Sequence, residues 1–239
     1  MDISVKGIIL KTKDYKENDK LLTILTLEKG KILVNAKGVK KPKSKLKAFC
    51  QSFCFADFEL TKSSNGYILT GVNQIESFFD LTSNINKFSY AFAVLEIADK
   101  ICFENQAYVN VFIDCLKCLK QMNFTDVEPK LIFSKFILSI LKYEGVNLNL
   151  NKCNCCKTPF VSDVYLDMNT GEVLCVACKN LDCIKLDKAV FSVLKILSRE
   201  DYEKLSTIKF SAKILDATLN HLLQHLRHKF DVYIKSIDL

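Results

Sequence analysis

The chain has 239 residues, 49% of them apolar and 26% charged, with a formal net charge of +7, which is enough hydrophobic material for one large or two modest globular domains. The opening Met1-Asp2-Ile3-Ser4-Val5-Lys6 has no basic start before an apolar run, and no uncharged apolar stretch of about 18 residues occurs, so a soluble, cytoplasmic protein is expected. Eleven cysteines, odd in number, unevenly spaced and without a secretion signal, argue against a disulfide framework and for reduced thiols with a metal site.

The positive charge is concentrated at one end. Residues 1–47 hold 13 lysines against five acidic residues, an excess of +8, while the rest of the chain is nearly balanced. Such asymmetry points to a polyanionic partner for that segment. From Ile3 to about Phe79 the pattern is of short strands: Ile32, Val34 and Ala36 alternate with polar neighbours, as do Cys54, Ala56, Phe58 and Leu60. Ser63-Ser64-Asn65-Gly66 then supplies a turn and Tyr67–Val72 a partner strand. About five strands in this length predict a small closed barrel; an OB-fold is the commonest such barrel in nucleic-acid proteins, and periodicity does not separate it from an SH3-like barrel. Eight lysines and no acid lie between Lys29 and Lys47, across a strand and the loop Gly38-Val39-Lys40-Lys41-Pro42-Lys43-Ser44. Lysines so spaced can follow a phosphate backbone by counterion release, and the regional excess favours that reading over a merely solubilising surface or an acidic membrane. Phe49, Phe53 and Phe55 follow; barrel core is expected for at least two of them, base stacking for any left exposed.

From Lys87 the period becomes helical. Phe88, Ala91, Leu95, Ala98 and Cys102 predict one amphipathic helix, and Tyr108, Val111, Cys115 and Cys118 a second. Cys115 and Cys118 form a C-x2-C on the apolar face, where packing is a better reading than redox chemistry. Pro129–Tyr143 is apolar nearly all round, with Pro129 suited to a first turn and Gly145 to an end, and predicts a central buried helix. Further helices are expected from about Asp187 to Leu197 and from about Ser211 to Lys229.

The strongest motif is Cys153-Asn154-Cys155-Cys156, followed after 18 residues by Cys175-Val176-Ala177-Cys178. Each C-x2-C turn presents two thiolates to one cation. Two such turns complete the tetrahedral sulfur shell that Zn²⁺ accepts, and a hairpin turning at Asn169-Thr170-Gly171 would join them. Four thiolates close the shell against a substrate water, so the expected zinc, held by Cys153, Cys156, Cys175 and Cys178, is structural. Cys155 could replace a neighbouring ligand or stand as a free thiol, and Cys183 could be a spare. His221, His225 and His228 fall on one side of the last helix, opposite Leu215, Leu219, Leu222 and Leu226, and an exposed polar face is expected of them. No phosphate loop, metalloprotease motif or deaminase motif can be written. A thiol redox enzyme and a zinc-containing RNA-binding or transcription-associated module remain as alternatives to a non-enzymatic nucleic-acid-binding protein.

The run Gly7–Leu22, then Leu25-Thr26, Gly30-Lys31 and Gly38-Val39-Lys40-Lys41-Pro42-Lys43-Ser44-Lys45, resembles the N-terminal barrel of the RecO family of bacterial DNA repair mediators. Tyr143-Glu144-Gly145, Cys153, Cys156, Gly171 and Cys175/Cys178 resemble the end of its helical core and its zinc knuckle. The resemblance implies an α+β chain: an OB-fold over 1–80 packed on a helical domain over 81–239, with the zinc insertion at about 150–182. It implies single- and double-stranded DNA binding, annealing of complementary strands, association with RecR and single-strand-binding protein, and help in loading RecA near the nucleoid. Carried onto this sequence, the DNA contacts would be Lys37, Lys40, Lys41, Lys43 and Lys45. Lysine stands here where the family often has arginine, which keeps the charge but not bidentate phosphate contacts.

Overall fold

The computed structural model describes residues 2–167 and 169–237. Strands β1 (Asp2–Tyr15), β2 (Asp19–Thr26), β3 (Gly30–Ala36), β4 (Cys54–Ser63) and β5 (Gly66–Ser77) close a barrel in the order β1-β2-β3-β5-β4. Closure comes from β4 returning antiparallel to β1, from Asp2↔Thr61 to Ile8↔Phe55. The β3–β5 seam is parallel, at Val34↔Tyr67 and Asn35↔Ile68. This is the five-stranded Greek-key barrel of an OB-fold, which decides between the two barrels left open above.

The alternations read from the sequence face inward. Ile32, Val34, Ala36, Cys54, Ala56, Phe58 and Leu60 join Val5, Ile9, Leu22, Ile24 and Leu69 in one core, each large side chain contributing roughly 1.5–3 kcal/mol by burial. A bulge between Ile9 and Lys11 interrupts the β1–β2 register; beyond it Lys11, Lys13 and Tyr15 are exposed, the re-aiming that a bulge produces.

The aromatic residues after the lysine loop depart from expectation. Phe49 alone of the three packs against the barrel core, and it is half-buried. Phe53 is buried, but its ring lies 5.0 Å from Phe92 and 6.0 Å from Phe88, on α1 (Ile85–Ile101). Phe55 lies 6.1 Å from Phe112, on α2 (Val109–Phe124). These rings are therefore a seam between the barrel's outside and the two helices. Phe53 takes a left-handed backbone, φ 71°, fixed by its N–H to the Ile9 carbonyl and by the Phe78 N–H to its own carbonyl. Gly30 has the same hand for another reason: a Cβ there would lie 1.7 Å from the Gln106 carbonyl oxygen.

By compactness the chain divides into Met1–Asn123 with Ile234–Leu239, and Phe124–Tyr233. The aromatic seam explains why α1 and α2 go with the barrel, whereas secondary structure alone changes near residue 80. The second unit contains α3 (Pro129–Tyr143), α4 (Lys188–Arg199) and α5 (Ala212–Phe230), with a small sheet β7-β6-β8 built from β6 (Val164–Asp167), β7 (Val173–Cys175) and β8 (Cys183–Lys185). Everything from Leu131 to Leu141 on α3 is buried except Lys135. Ser134 fits there because its hydroxyl donates to the Lys130 carbonyl at 2.8 Å. Asp187 caps α4 by accepting the Ala189 N–H at 2.7 Å. No helix among the described residues is long and apolar enough to cross a membrane.

Candidate metal centre and nucleic-acid interface

The two knuckles come together as their spacing predicts. The Sγ atoms of Cys153, Cys156, Cys175 and Cys178 all lie within 4.8 Å of one another. Cys156 and Cys175 are 3.8 Å apart, close to the edge of about 3.8 Å that a tetrahedron with Zn–S bonds of about 2.3 Å requires. Each knuckle is a backbone device. The Lys157 N–H donates to the Cys153 carbonyl at 3.0 Å, and the Cys178 and Lys179 N–H groups both donate to the Cys175 carbonyl at 3.1 Å.

The same turns aim donors at sulfur. The Cys175 N–H points to Cys153 Sγ at 3.4 Å. Burial alone would raise the Cys153 thiol, but the N–H groups of Cys175, Cys156 and Cys155 hold it below the ordinary value. The Thr158 hydroxyl, 2.9 Å from Cys156 Sγ, leads the effects that lower that thiol to about 6. Cys178 is instead pushed up by hydrogen bonding with the thiols of Cys155, Cys156 and Cys175. Four sulfurs this close cannot all ionise without a cation among them, and a divalent ion removes that conflict; the donor set fits a thiophilic metal.

Two positioning residues carried no motif. Asp167, buried at the end of β6, accepts from the Asn169 and Thr170 N–H groups at 2.8 and 3.0 Å and from Asn180 Nδ2 at 2.6 Å. It thus folds the hairpin turn and ties it to the segment after the second knuckle. These donors, the Thr170 N–H first, hold its carboxyl below the usual range. An Asp two residues before Asn-Thr-Gly is a recognisable turn signal; Thr158 had none. Cys155 is exposed with its thiol against Cys178 at the edge of the four-sulfur group, whereas Cys183 donates its thiol to Asn180 Oδ1 at 3.1 Å and lies outside it.

The histidines correct an expectation. His225 is not on an exposed face: it is 5% exposed, with Nε2 3.0 Å from the Val146 carbonyl oxygen, to which it donates. His221 is half-buried and His228 alone is exposed. The reason is the hairpin tip, which covers the side of α5 that helical periodicity leaves open: a Cβ on Gly171 (φ 70°) would lie 2.0 Å from the His225 ring. Burial lowers the pKa of both His221 and His225.

The basic loop is ordered from beneath. Val39 is buried in the barrel core, the Gly38 N–H donates to Asp19 Oδ1 at 2.8 Å, and the Lys40 N–H donates to the Asn18 carbonyl at 2.9 Å. Lys40 also places its ammonium 2.7 Å from Asp14 Oδ2, which holds the Asp14 carboxyl low. Its charge is thereby partly committed. Lys37, Lys41, Lys43 and Lys45 are exposed and have no ion-pair partner among the described residues. Lys31 turns away to Asp99, 3.3 Å from Oδ1.

Comparison with known proteins agrees with this architecture. Residues 1–78 match the family described as Recombination protein O N terminal, and residues 82–237 match Recombination protein O C terminal. The chain is 30% identical over 208 residues to DNA repair protein RecO of Clostridium perfringens, covering 87% of this chain and 85% of that one. It is 29% identical to DNA repair protein RecO of Clostridium novyi (98% and 91% covered) and 28% identical to that of Caldicellulosiruptor saccharolyticus (98% and 93%). With both halves matched in order on a closed five-stranded barrel and a helical unit carrying a four-cysteine cluster, the chain belongs to the RecO family of DNA repair proteins.

Proposed function

We propose that this protein is a DNA repair mediator that binds single- and double-stranded DNA largely without regard to sequence, anneals complementary strands and assists RecA loading in gap repair. The observation that carries the proposal is the loop of residues 37–45: four exposed lysines, without an ion-pair partner among the described residues, on a support fixed by Val39, Asp19 and Asn18. Cations on a rigid base neutralise phosphates at low ordering cost and release counterions as they do so. Annealing needs no hydrolysis, because strand pairing is downhill and a cationic surface lowers the repulsion between two strands held together. The protein acts in this reading without a catalytic centre of its own.

Zn²⁺ is the ion that the four-sulfur group supports best, and its role is to hold the two knuckles and the hairpin together. RecR and single-strand-binding protein are the protein partners implied by family membership, and the place of action is the cytoplasm at the nucleoid.

Annealing of complementary oligonucleotides coated with single-strand-binding protein, followed by fluorescence without nucleotide, tests the function. Acceleration that weakens with salt is expected. Replacement of Lys41, Lys43 and Lys45 by Glu should abolish it; intact DNA affinity in that variant would overturn the reading.

A further inference from the structure

We propose that Cys155 is the oxidation site of the four-sulfur group, and that a peroxide joins it to Cys178 in a disulfide that expels the ion. The inference rests on the metal reading of that group. Four thiolates already close a tetrahedral shell, so coordination does not explain a fifth thiol at its edge. The turn of the first knuckle sets the position of that thiol. The N–H groups of Cys155 and Cys156 both face Cys153 Sγ, and Lys157 closes the turn in a left-handed backbone, φ 62°. The Asn154 N–H, bound to the Val173 carbonyl at 2.9 Å, pins the turn to β7. A chain wrapped around one sulfur in this way carries the Cys155 side chain on its outside, where it is exposed and lies against Cys178 of the other knuckle.

Geometry selects the partner. Cys156 is the next residue in the chain, and adjacent Cα atoms about 3.8 Å apart fall short of the separation of about 4.4 Å or more that an unstrained disulfide spans. Cys153 is wholly buried beneath the turn. Cys175 has its sulfur 3.8 Å from Cys156, whereas the half-buried Cys178 has the Cys155 thiol among its own hydrogen-bonding partners. With an ion in place the exposed Cys156 shares its sulfur electrons with the cation, which leaves Cys155 as the exposed sulfur outside the shell. Cys183 is held by Asn180 away from the group.

The reaction balances with a peroxide as oxidant. The Cys155 sulfur gives an electron pair to one peroxide oxygen; the O–O bond breaks, and a sulfenic acid and water form. The Cys178 sulfur then attacks the sulfenic sulfur. An S–S bond forms as the S–O bond breaks, and the departing hydroxide takes a proton from solvent. The two sulfurs together lose two electrons, and one peroxide becomes two waters. Cys178 leaves the shell as a neutral disulfide sulfur, and the three remaining thiolates hold a divalent ion less well than four. Bridge and ion therefore exclude each other.

The test uses the full chain supplied with Zn²⁺ and treated with hydrogen peroxide. A chromogenic chelator follows ion release, and mass spectrometry without reduction maps the cysteine pairing. The parent should lose its ion as a Cys155–Cys178 peptide pair appears. Cys155→Ser and Cys155→Ala should bind the ion, melt with the parent and release the ion about tenfold more slowly, while Cys183→Ser should behave as the parent does. A map without the Cys155–Cys178 pair, or release from both Cys155 variants as fast as from the parent, overturns the proposal. A chain that takes up no ion before peroxide overturns the metal reading and with it the expulsion, and the same map still decides the pairing.

Discussion

Cys115-x2-Cys118 on α2 and Cys153-x2-Cys156 in the first knuckle share a spacing and end in opposite chemistry. On α2 the backbone N–H groups are consumed by the helix ladder, both sulfurs are fully buried, and burial pushes both thiols well above their ordinary value. The barrel cysteines behave alike: burial raises Cys50 to about 12 and Cys54 to about 11. In the knuckles the chain turns, so amide and hydroxyl donors are free to face sulfur, and Cys156 falls to about 6. Spacing brings two sulfurs together; whether they ionise depends on where the backbone donors go.

Removing one cysteine from each region should separate them most sharply. If the proposed ion is bound, its binding free energy is folding free energy for this unit, and Cys175→Ser should reduce the metal content from one ion to none and lower Tm by about 10 °C or more; metal analysis with a calorimetric scan decides it. Cys115→Ser should keep the metal and lose about 1–2 kcal/mol of stability, the cost of placing a more polar group on a fully buried apolar face. A Cys115→Ser protein that loses its metal would erase the distinction.

Reactivity gives a smaller but finer contrast. After chelation, alkylation at neutral pH with mapping by mass spectrometry should modify Cys156 first. Cys50, Cys115 and Cys118 should stay unmodified while the fold persists, since the thiolate is the nucleophile. Early modification of α2 would show that its cysteines are not held as the packing implies.

The weakest expected effect concerns the hairpin that joins the knuckles. Burial lowers His225 from its ordinary 6.5, so the unfolded chain binds this proton more readily than the folded one. Its contribution is fully present above about pH 6.5 and declines as pH falls through the folded-state value. His225→Gln should flatten that part of the pH dependence in urea midpoints. The knuckle thiols titrate in both proteins, so the difference between them reports the histidine; identical slopes would refute the assignment.

What the sequence settled by itself was local. Alternation at 32–36 and 54–60, the helix from Pro129 to Tyr143 and the two knuckles all depend on residues a few positions apart, whose side-chain directions follow from backbone period alone. The four-cysteine cluster was legible because both C-x2-C turns are local devices and only one hairpin separates them. Tertiary structure decided the rest. Phe53 faces α1 instead of the barrel interior, His225 is covered by the tip at Gly171, Lys40 is held by Asp14 while Lys41 and Lys43 meet no ion-pair partner among the described residues, and β8 pairs with β6 and not with β7, its neighbour in the chain. Each outcome is set by a partner well separated along the chain, and no periodicity encodes which distant group will arrive to cover a ring, neutralise a cation or pair with an edge.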